Sequence, residues 1–578
     1  MNIRLRNKHI EKNYAEELLK WRGVVNIDSF LNPTIEMLQS PLYLDNIEQG
    51  GDLISKINRD DKILIVVDCD VDGYCSSAII YNWLKENIKE HSTIDFITHY
   101  GKQHGLEDIV ERVCLDNYTI VIIPDASTND DKYFQDYPNV KFLILDHHDR
   151  TESIENVPSN AIIINNQISK EYKNKSLCGA GVTWQFCRYL DATLTHNEYF
   201  SDGMIDLVAV ATIADMMDIT VLENRYIIEA GLKSINNLFL KTLIDKQAFS
   251  LGSGPLTPTG VAFYIAPLIN AMCRSGAPQE RDRMFLAFAD GELLVPSNKR
   301  GAAGTSEKVA IESARECTNA KSRQTKAQEK MTERATIQIL NNNLLANKIL
   351  TIVLDESFDD IPNEINGLSA TKISNHYGLP TLVGRVNKDG EYKGSIRGLP
   401  TIDMPPLKEF LLSSGFFTFC EGHDNAAGFG MKISKLDKFH EWANEKLSHV
   451  GLEGSLWEVD FIRHGSNFDI QDIIHDLNNI NHTWGQGNPE ALIYVEEINI
   501  DKKDISIMGS KKDTVKILHK GIGYMFFKCK QEDIERLTEY EQPCLNIVGT
   551  MNINHFNGAS SPQVFVKDFE VTNGKFSF

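Results

Sequence analysis

Residues 139–149 read NVKFLILDHHD, an apolar run that leads directly into two adjacent histidines between acidic residues. The run Val140–Leu145 predicts a short buried strand, so His147 and His148 follow its carboxyl end. In open α/β sheets that edge is where ligands bind. Imidazole and carboxylate groups together suit divalent transition metals, and a carboxylate-rich set favours Mn²⁺ or Mg²⁺. A histidine pair in a loop is as often structural as metal-binding. A metal site here therefore requires further ligands elsewhere in the chain.

Other apolar runs supply such partners, because each of them also ends in acidic residues. The acids at the ends of these runs are Asp68, Asp70 and Asp72, then Asp125, and finally Asp215. Four such segments separated by helix-length stretches predict a parallel sheet with all the ligands along one edge. Three acids within residues 68–72 repel one another unless a cation lies among them, which favours a metal site. The alternative for this segment is an Asp-rich loop that caps the following helix.

The chain has 578 residues, too many for one hydrophobic core, and its length indicates roughly three to five domains. Hydrophobic residues make up 42% and charged residues 24%, as in soluble globular proteins. No apolar run approaches membrane-spanning length, and the N-terminal residues lack the pattern of a signal peptide. Ten scattered cysteines without a CxxC pair fit reduced thiols. We therefore expect a cytoplasmic protein with no membrane segment.

The net charge of −21 argues at first against a nucleic-acid partner, because phosphate-binding proteins usually carry a basic surface. The mean charge hides local cationic segments, however. Between Lys299 and Arg334 there are nine Lys or Arg against five Glu, and six lysines lie between Lys502 and Lys520. Residues 307–340 are rich in helix formers and lack glycine, so they predict one long basic helix. Each basic segment is also compatible with an ordinary solvated surface.

The acidic segments and several later motifs resemble the DHH phosphoesterases and, within them, the RecJ exonucleases. The matching segments near the predicted metal site are DCDVDG (68–73), PDAS (124–127), LDHHD (145–149) and TIADMMD (212–218). Further matches are GSIRG (394–398), EGHDNAAGFG (421–430) and WGQGNP (484–489). The resemblance spans nearly the whole chain, from about Phe30 to Val571.

This resemblance implies an α/β chain with a parallel-sheet DHH domain, a long connecting helix, an α/β DHH-associated domain and a C-terminal OB-fold β-barrel. The expected ranges are a helical N-terminal segment at 1–48, the DHH catalytic domain at 49–300, the connecting helix at 301–345, the DHH-associated domain at 346–455 and the OB-fold nucleic-acid-binding domain at 456–578. The residues point the same way, because a βαβ-like pattern begins at Lys348 and short alternating strands follow Leu456.

The resemblance also assigns roles to individual residues. Two divalent ions, typically Mn²⁺ with Mg²⁺ as the alternative, would be held by Asp68, Asp70, Asp72, Asp125, His147, His148 and Asp215. Asp146 would orient an imidazole rather than bind metal. The catalytic residues would be Asp70, Asp125, His147, His148 and His423. Substrate phosphates would contact Arg274, Ser395, Arg397, Gly422 and His423.

Carried over to this chain, the family's activity is hydrolysis of single-stranded DNA from its 5′ end to mononucleotides, in DNA repair, recombination and replication. Two metal ions would activate a water for in-line attack, so no nucleophilic Ser or Cys is required. The expected partner of a monomeric enzyme is single-stranded DNA, with a single-strand-binding protein or a helicase as further candidates.

Two other functions compete with this one. A DHH phosphodiesterase for small substrates such as nanoRNA, cyclic dinucleotides or pyrophosphate has no need of the basic helix and the domain after Leu456. A non-catalytic replication scaffold has no reason to keep the complete set of acids and histidines, because like charges held together are costly.

Aromatic and basic residues of the last domain are candidates for stacking on bases and following the strand's backbone. They are Phe526, Phe527, Phe556, Phe565, Lys516, Lys520 and Lys528, and strand alternation predicts that some of them are core. The chain departs from the family pattern at HYGKQHGLED, residues 99–108. His99 stands where RecJ proteins usually have arginine, and His104 stands where they have tyrosine. Contacts with the DNA strand are therefore expected to differ there from the family norm.

Overall fold

The computed structural model describes residues 1–88, 93–100, 103–151, 153–195, 200–252, 254–302, 304–399, 404–450, 456–556 and 559–573, without the side chains of residues 556 and 573. Three main sheets, each with its own hydrophobic core, follow one another along the chain. Across the described residues, no helix is both long and apolar enough to span a membrane.

A five-stranded parallel sheet organises the first half of the chain. The strands up to residue 308 are β1 (Asn2–Leu5), β2 (Lys62–Val67), β3 (Thr93–Thr98), β4 (Ile120–Pro124), β5 (Lys141–Asp146), β6 (Ala161–Asn165), β7 (Leu294–Pro296) and β8 (Ser306–Lys308). The sheet has the order β3-β2-β4-β5-β6. Ile65 of β2 faces one core and its neighbour Val66 faces the other, so the sheet is buried on both faces. Burial on both faces explains why its strands are continuous apolar runs.

The predicted strands at β2, β4 and β5 are therefore confirmed, and β3 and β6 are additional. The α-helices of the described residues before residue 300 are α1 (Tyr14–Trp21), α2 (Ile27–Leu31), α3 (Ile47–Ser55), α4 (Val71–Asn87), α5 (Glu107–Arg112), α6 (Asp131–Asp136), α7 (Gly179–Leu190), α8 (Ile205–Ala214), α9 (Leu222–Lys233), α10 (Leu238–Lys246), α11 (Ala248–Leu251), α12 (Pro258–Gly260), α13 (Ala266–Ser275) and α14 (Pro278–Ala289).

The fourth predicted strand is wrong, because the apolar run before Asp215 forms helix α8. Its residues are buried on every side between α4, α7 and α9, so it lacks the amphipathic pattern of a surface helix. A short run that is apolar throughout does not distinguish a buried strand from a buried helix. Asp215 therefore reaches the edge of the sheet from the C-terminal end of a helix.

One long helix, α15 (Val309–Asn341), joins the first sheet region to the second, as predicted for residues 307–340. Ala314 and Cys317 of its first half lie in the core of the first region. Met331 and Ile339 of its second half lie in a core of the second region. Four of its cations form ion pairs with carboxylates: Arg315 with Glu307, Arg323 with Glu280, and both Lys330 and Arg334 with Asp360. Much of the positive charge of this helix is therefore neutralised locally.

The second region contains a five-stranded mixed sheet in the order β12-β13-β11-β10-β9. Its elements are β9 (Leu350–Leu354), α16 (Asn366–Tyr377), β10 (Thr381–Val386), β11 (Glu391–Arg397), α17 (Leu407–Ser413), β12 (Phe417–His423), β13 (Ala426–Lys432) and α18 (Leu436–Lys446). β9 and β10 are parallel and connected through α16, which confirms the βαβ-like pattern. The pairs β10–β11, β11–β13 and β12–β13 are antiparallel.

The third region is a seven-stranded sheet in the order β15-β16-β20-β21-β19-β18-β17. Its elements are β14 (Leu456–Val459), β15 (Phe461–His464), α19 (Ile470–Asn478), β16 (Leu492–Asn499), β17 (Ile505–Met508), β18 (Thr514–His519), β19 (Ile522–Phe526), α20 (Gln531–Thr538), β20 (Pro543–Phe556) and β21 (Ala559–Asn573). β14 pairs with β1 instead of joining the seven strands. The short alternating strands predicted after Leu456 are thus confirmed.

The N-terminal segment packs against this third region. The prediction for residues 1–48 is a helical segment, and the structure adds strand β1, which runs parallel to β14. Leu18 and Leu19 of α1 are fully buried in the same core as Phe461 and Ile473. The first and last parts of the chain therefore stabilise each other.

We expect Leu18→Ala to destabilise the third region, because removal of a fully buried leucine side chain leaves a cavity in the core that α1 shares with it. The expected cost is about 2–5 kcal/mol of the free energy of unfolding, measured by urea denaturation followed by tryptophan fluorescence. Glu16→Ala, on the exposed face of the same helix, is the control and should change stability little. Equal stability of the two variants would contradict this packing role.

Candidate metal centre

Four chain segments bring acidic and imidazole groups to the carboxyl edge of the parallel sheet. Asp68 follows β2, Asp125 follows β4, His147 and His148 follow β5, and Asp215 caps the C-terminal end of α8. Asp125 has a φ of 66°, in the left-handed region that few residues other than glycine adopt. The structure thus brings together the acids that the sequence predicts to share one edge.

His147 lies at the centre of one group of ligand atoms. Its Nε2 atom is 3.3 Å from Asp125 Oδ1, 3.5 Å from Asp215 Oδ2 and 3.7 Å from Asp72 Oδ2. Atoms that bind one ion at roughly 2.0–2.2 Å lie about 3–3.5 Å from one another. Each of the three carboxylates is therefore spaced from His147 as a ligand of the same ion would be, and ligand atoms of Asp72, His147 and Asp215 lie within 4.8 Å of one another.

A second group shares Asp125 with the first. Oxygen atoms of Asp68, Asp70 and Asp125 lie within 4.8 Å of one another, and so do ligand atoms of Asp125, His147 and His148. Asp125 belongs to both groups, so one carboxylate lies between two candidate ion positions. This arrangement fits the binding of divalent metal ions at this edge of the sheet.

Backbone and side-chain hydrogen bonds hold the candidate ligands in place. Asp72 accepts from the backbone N–H groups of Gly179 and Ala180, both at 2.7 Å, at the N-terminal end of α7. Asp70 accepts from Gly73 N at 3.0 Å and caps α4. The alternative prediction, that an acid of this segment caps the following helix, is therefore correct for Asp70. The same carboxylate also lies beside Asp68 and Asp125.

Asp146 orients the histidine loop. Its Oδ1 atom accepts from His147 N at 2.7 Å and lies 2.8 Å from His148 Nδ1, and its Oδ2 atom accepts from Thr128 N at 3.0 Å. With Nδ1 of His148 engaged, Nε2 remains as the available ligand atom, an arrangement common in metal sites. The structure places Asp146 behind the histidines, as the predicted orienting role requires.

The electrostatics of the cluster favour bound cations. Burial, then the neighbouring carboxylates, raise the pKa of Asp125 well above its ordinary value and that of Asp215 to about 8. Asp125 Oδ1 is buried without a hydrogen-bond partner among the described residues. A Cβ atom at Gly179 would lie 2.4 Å from that oxygen, so glycine leaves it room. Asp68, Asp70, Asp72, Asp125 and Asp215 form no ion pair with Lys or Arg within the described ranges, so the residues fit divalent metal ions.

His99 and His104 extend this site beyond the residues predicted as ligands. His104 Nδ1 lies 2.8 Å and 3.0 Å from the two carboxylate oxygens of Asp68, and this hydrogen bond raises the pKa of His104 to about 11. His99 is buried, with Nδ1 2.6 Å from Asp108 Oδ1 and Nε2 3.7 Å from Asp68 Oδ1. The sequence marks both residues as departures from the family, but not their contact with Asp68.

The predicted phosphate-binding residues lie on two structural units, the second sheet and helix α13. Ser395 and Arg397 lie on one face of β11, and His423 lies on the same face of β12, because Arg397 and His423 both pair with Ala426 of the intervening strand. His423 is exposed. Gly422 has a φ of 126°, a conformation that favours glycine.

Arg274, in the last turn of α13, completes the set from the side of the first sheet. Burial and the nearby Arg274 guanidinium lower the pKa of Arg397, and the same two causes lower the pKa of Lys321 on α15. Three cations from three structural units therefore converge. In the sequence, the only signal for Lys321 is its place in the basic segment between residues 299 and 334.

Comparison with known proteins agrees with this geometry. Residues 62–212 match the DHH family, N-terminal domain, and residues 469–568 match the RecJ OB domain. A Bacillus subtilis (strain 168) protein named as an SPbeta prophage-derived single-strand DNA-specific exonuclease, YorK, is 33% identical over 575 residues, which cover 96% of each chain. This chain belongs to the RecJ family of DHH proteins.

Solved structures of the family share the fold. Two crystal structures of RecJ from Thermus thermophilus, in complex with Mn²⁺ and with Mg²⁺, have TM-scores of 0.71 and 0.65 at 18% identity. They match 99% of this chain and 80% and 79% of their own. The predicted fold class, a parallel-sheet DHH domain followed by further α/β and OB domains, is confirmed.

We expect Mn²⁺ binding to release protons at pH 7. Without metal, Asp215 with a pKa of about 8 and His148 with a pKa of about 9 both hold a proton at this pH. Metal ligands bind deprotonated, so affinity should rise as the pH rises towards about 9. Isothermal titration calorimetry in buffers of different ionisation enthalpy measures this release, and a binding heat independent of the buffer would contradict it.

Proposed function

We propose that this chain is a metal-dependent exonuclease that hydrolyses single-stranded DNA from its 5′ end to mononucleotides, acting in DNA repair, recombination and replication. The observation that carries the proposal is the position of Asp125 between two groups of carboxylate and imidazole ligands. Family membership supports single-stranded DNA as the substrate, since the relative YorK is named for that activity.

The metal centre would hold two divalent ions, Mn²⁺ or Mg²⁺, through Asp68, Asp70, Asp72, Asp125, His147, His148 and Asp215. Bound there, the ions supply an activated water and neutralise charge on the phosphoryl oxygens. Asp146 keeps His148 oriented for this role. Cys69 and Cys75 are not candidate nucleophiles, because burial raises the pKa of both thiols.

The second sheet provides the contacts for substrate phosphates. Ser395, Arg397 and His423 share one face of this sheet, and only the small residues Ala426 and Gly428 occupy that face of the strand between them. The absence of larger side chains on that strand leaves this face open for substrate phosphates beside these residues. Arg397 is held by donation from Nε to Thr371 Oγ1 at 3.1 Å. We assign the 5′-terminal phosphate to Ser395 and Arg397, and the scissile phosphate to His423, Gly422 and Arg274.

The OB domain provides the remaining contacts with the strand. Phe526 is core, whereas Phe527 is 52% exposed and packs edge-on against Phe565 at 5.3 Å. Lys528 follows Phe527 directly in the sequence, and the side chain of Phe556 lies outside the described part. An exposed ring supported by a second, half-buried ring and next to a lysine suits stacking on unpaired bases. Such a domain has no use in hydrolysis of a small substrate, so its presence favours DNA.

We also propose that the chain divides into five segments at the predicted boundaries, with residues 49–300 as the catalytic domain.

The cytoplasm is the proposed location, because all ten cysteines are free thiols. A monomer would meet its single-stranded substrate there, with a single-strand-binding protein or a helicase as the source of the strand.

Digestion of single-stranded DNA labelled at either end tests reaction and polarity together. With Mn²⁺, labelled mononucleotide should appear early from the 5′ label and only late from the 3′ label. Early mononucleotide from the 3′ label, or a 5′ label that is progressively shortened instead of released as mononucleotide, would refute the proposed polarity.

The same assay identifies the metal centre when it is run on variants. Asp125→Ala and His148→Ala should lose cleavage by at least about 100-fold, because each removes a candidate ligand, and should retain strand binding in a gel-shift assay. Asp149→Ala is the matched control, since this exposed acid follows the histidine pair outside the ligand groups. Near-normal Mn²⁺-dependent activity of His148→Ala would overturn the ligand assignment.

We expect Arg397→Ala to impair digestion of 5′-phosphorylated DNA about tenfold more than digestion of 5′-hydroxyl DNA. The terminal phosphate carries more negative charge than a phosphodiester and so depends more on a cation, and one charge-assisted contact accounts for roughly this factor. The control is Arg385→Ala on the neighbouring strand, whose guanidinium contacts Asn363 and Phe358 O. Equal losses on both substrates would exclude Arg397 as the residue that recognises the 5′ end.

A further inference from the structure

Two histidines outside the family pattern enclose Asp68. Asp68 is 1% exposed, with both oxygens against Nδ1 of His104 and one oxygen 3.7 Å from Nε2 of His99. Asp108 lies 2.6 Å from Nδ1 of His99 and accepts from Arg112 at 3.0 Å. His99 thus connects Asp68 to the pair formed by Asp108 and Arg112, and the more exposed His104 covers Asp68 from the solvent side.

The backbone around His104 is fixed by the loop that follows β4. Gly105 has a φ of 70°, and a Cβ atom there would lie 2.6 Å from Asp130 Oδ2. Leu106 is fully buried and donates from its backbone N–H to the same oxygen at 2.9 Å. Asp130 also accepts from Ser127, two residues beyond Asp125. The segment that carries His104 is therefore tied to the segment that carries Asp125.

His104 also faces the candidate metal site. Its side chain is 58% exposed and lines a cavity of about 350 Å³ together with Asp125, Asp146 and His148. Its Nε2 atom lies 4.0 Å from Cys69 Sγ. The imidazole is thus accessible from the cavity on one side and bound to Asp68 on the other.

We propose that His104 is a positioning residue of the metal centre, which holds the Asp68 carboxylate in place beside Asp70 and Asp125. The proposal rests on the two-metal function above and adds a residue to it. A carboxylate that rotates freely presents its oxygens to an ion only part of the time. A hydrogen bond from Nδ1 to both oxygens fixes the rotation of the carboxylate plane and so preserves the group formed by Asp68, Asp70 and Asp125.

Four variants separate this role from its alternatives. His104→Ala removes the donor, and His104→Asn keeps an N–H donor near the position of Nδ1. His104→Gln carries its amide one methylene further out, so it fills space without restoring the contact. His464→Ala is the matched control, because His464 is another partly exposed histidine whose Nε2 lies 3.1 Å from a carboxylate, that of Glu497 in the third region.

Calorimetric titration of the full-length chain with Mn²⁺ measures the effect directly. We expect His104→Ala and His104→Gln to weaken binding of one ion at least about tenfold, the usual effect of removing such a supporting partner. His104→Asn should recover much of this loss, and His464→Ala should match the unaltered chain. Thermal unfolding of the metal-free variants shows whether each is folded, and the Asn and Gln variants decide the outcome if the Ala variant is not.

Kinetics give the second readout. Saturating Mn²⁺ should restore kcat of His104→Gln towards normal, with KM for single-stranded DNA unchanged throughout. Unchanged Mn²⁺ affinity in every folded His104 variant would overturn the proposal, and so would a raised KM with unchanged Mn²⁺ affinity, which would make His104 a substrate contact. A chain without nuclease activity would refute the proposed function, whereas the Mn²⁺ titrations would still decide the role of His104.

Discussion

Repulsion among carboxylates at one edge of the parallel sheet is the constraint on which this structure depends. Asp68, Asp72 and Asp125 are buried, and ligand oxygens of Asp68 and Asp125, and those of Asp72 and Asp215, lie within 4.8 Å of each other. The fold offers Asp72 two backbone N–H donors at the start of α7, but Asp125 Oδ1 has no hydrogen-bond partner among the described residues. Backbone dipoles therefore compensate only part of the negative charge. Bound divalent cations would compensate the rest.

The rest of the architecture positions a second set of residues relative to that edge. Helix α15 places Cys317 in the core of the first region and Met331 in a core of the second, so packing on both sides fixes the distance between the candidate metal ligands and the proposed phosphate-binding residues. Arg274 belongs to the first region and Arg397 to the second, and the two guanidinium groups are close enough for their charges to interact. The first and second regions are thus connected by a packed helix rather than by a flexible linker.

The acidic composition is compatible with a nucleic-acid substrate because the charges are unevenly placed. On α15, Arg315, Arg323 and Arg334 are neutralised by carboxylates, so this helix attracts a strand less than its sequence suggests. Arg397 and Lys321 both lie close to Arg274, and the attraction of these cations for a phosphate group would act at short range. Stacking on Phe527 does not depend on net charge, so an acidic protein can still hold a single strand.

The sequence by itself determined the strands β2, β4 and β5, the long helix and the set of acids, because apolar runs and adjacent carboxylates are local patterns. It also identified the family. Tertiary structure decided that the run before Asp215 is a helix, since only its packing on all sides separates the two possibilities. It also decided that Asp125 lies between two ligand groups and that His104 contacts Asp68 across 36 positions of sequence. Contacts between distant segments depend on how sheets and helices pack, which no local pattern contains.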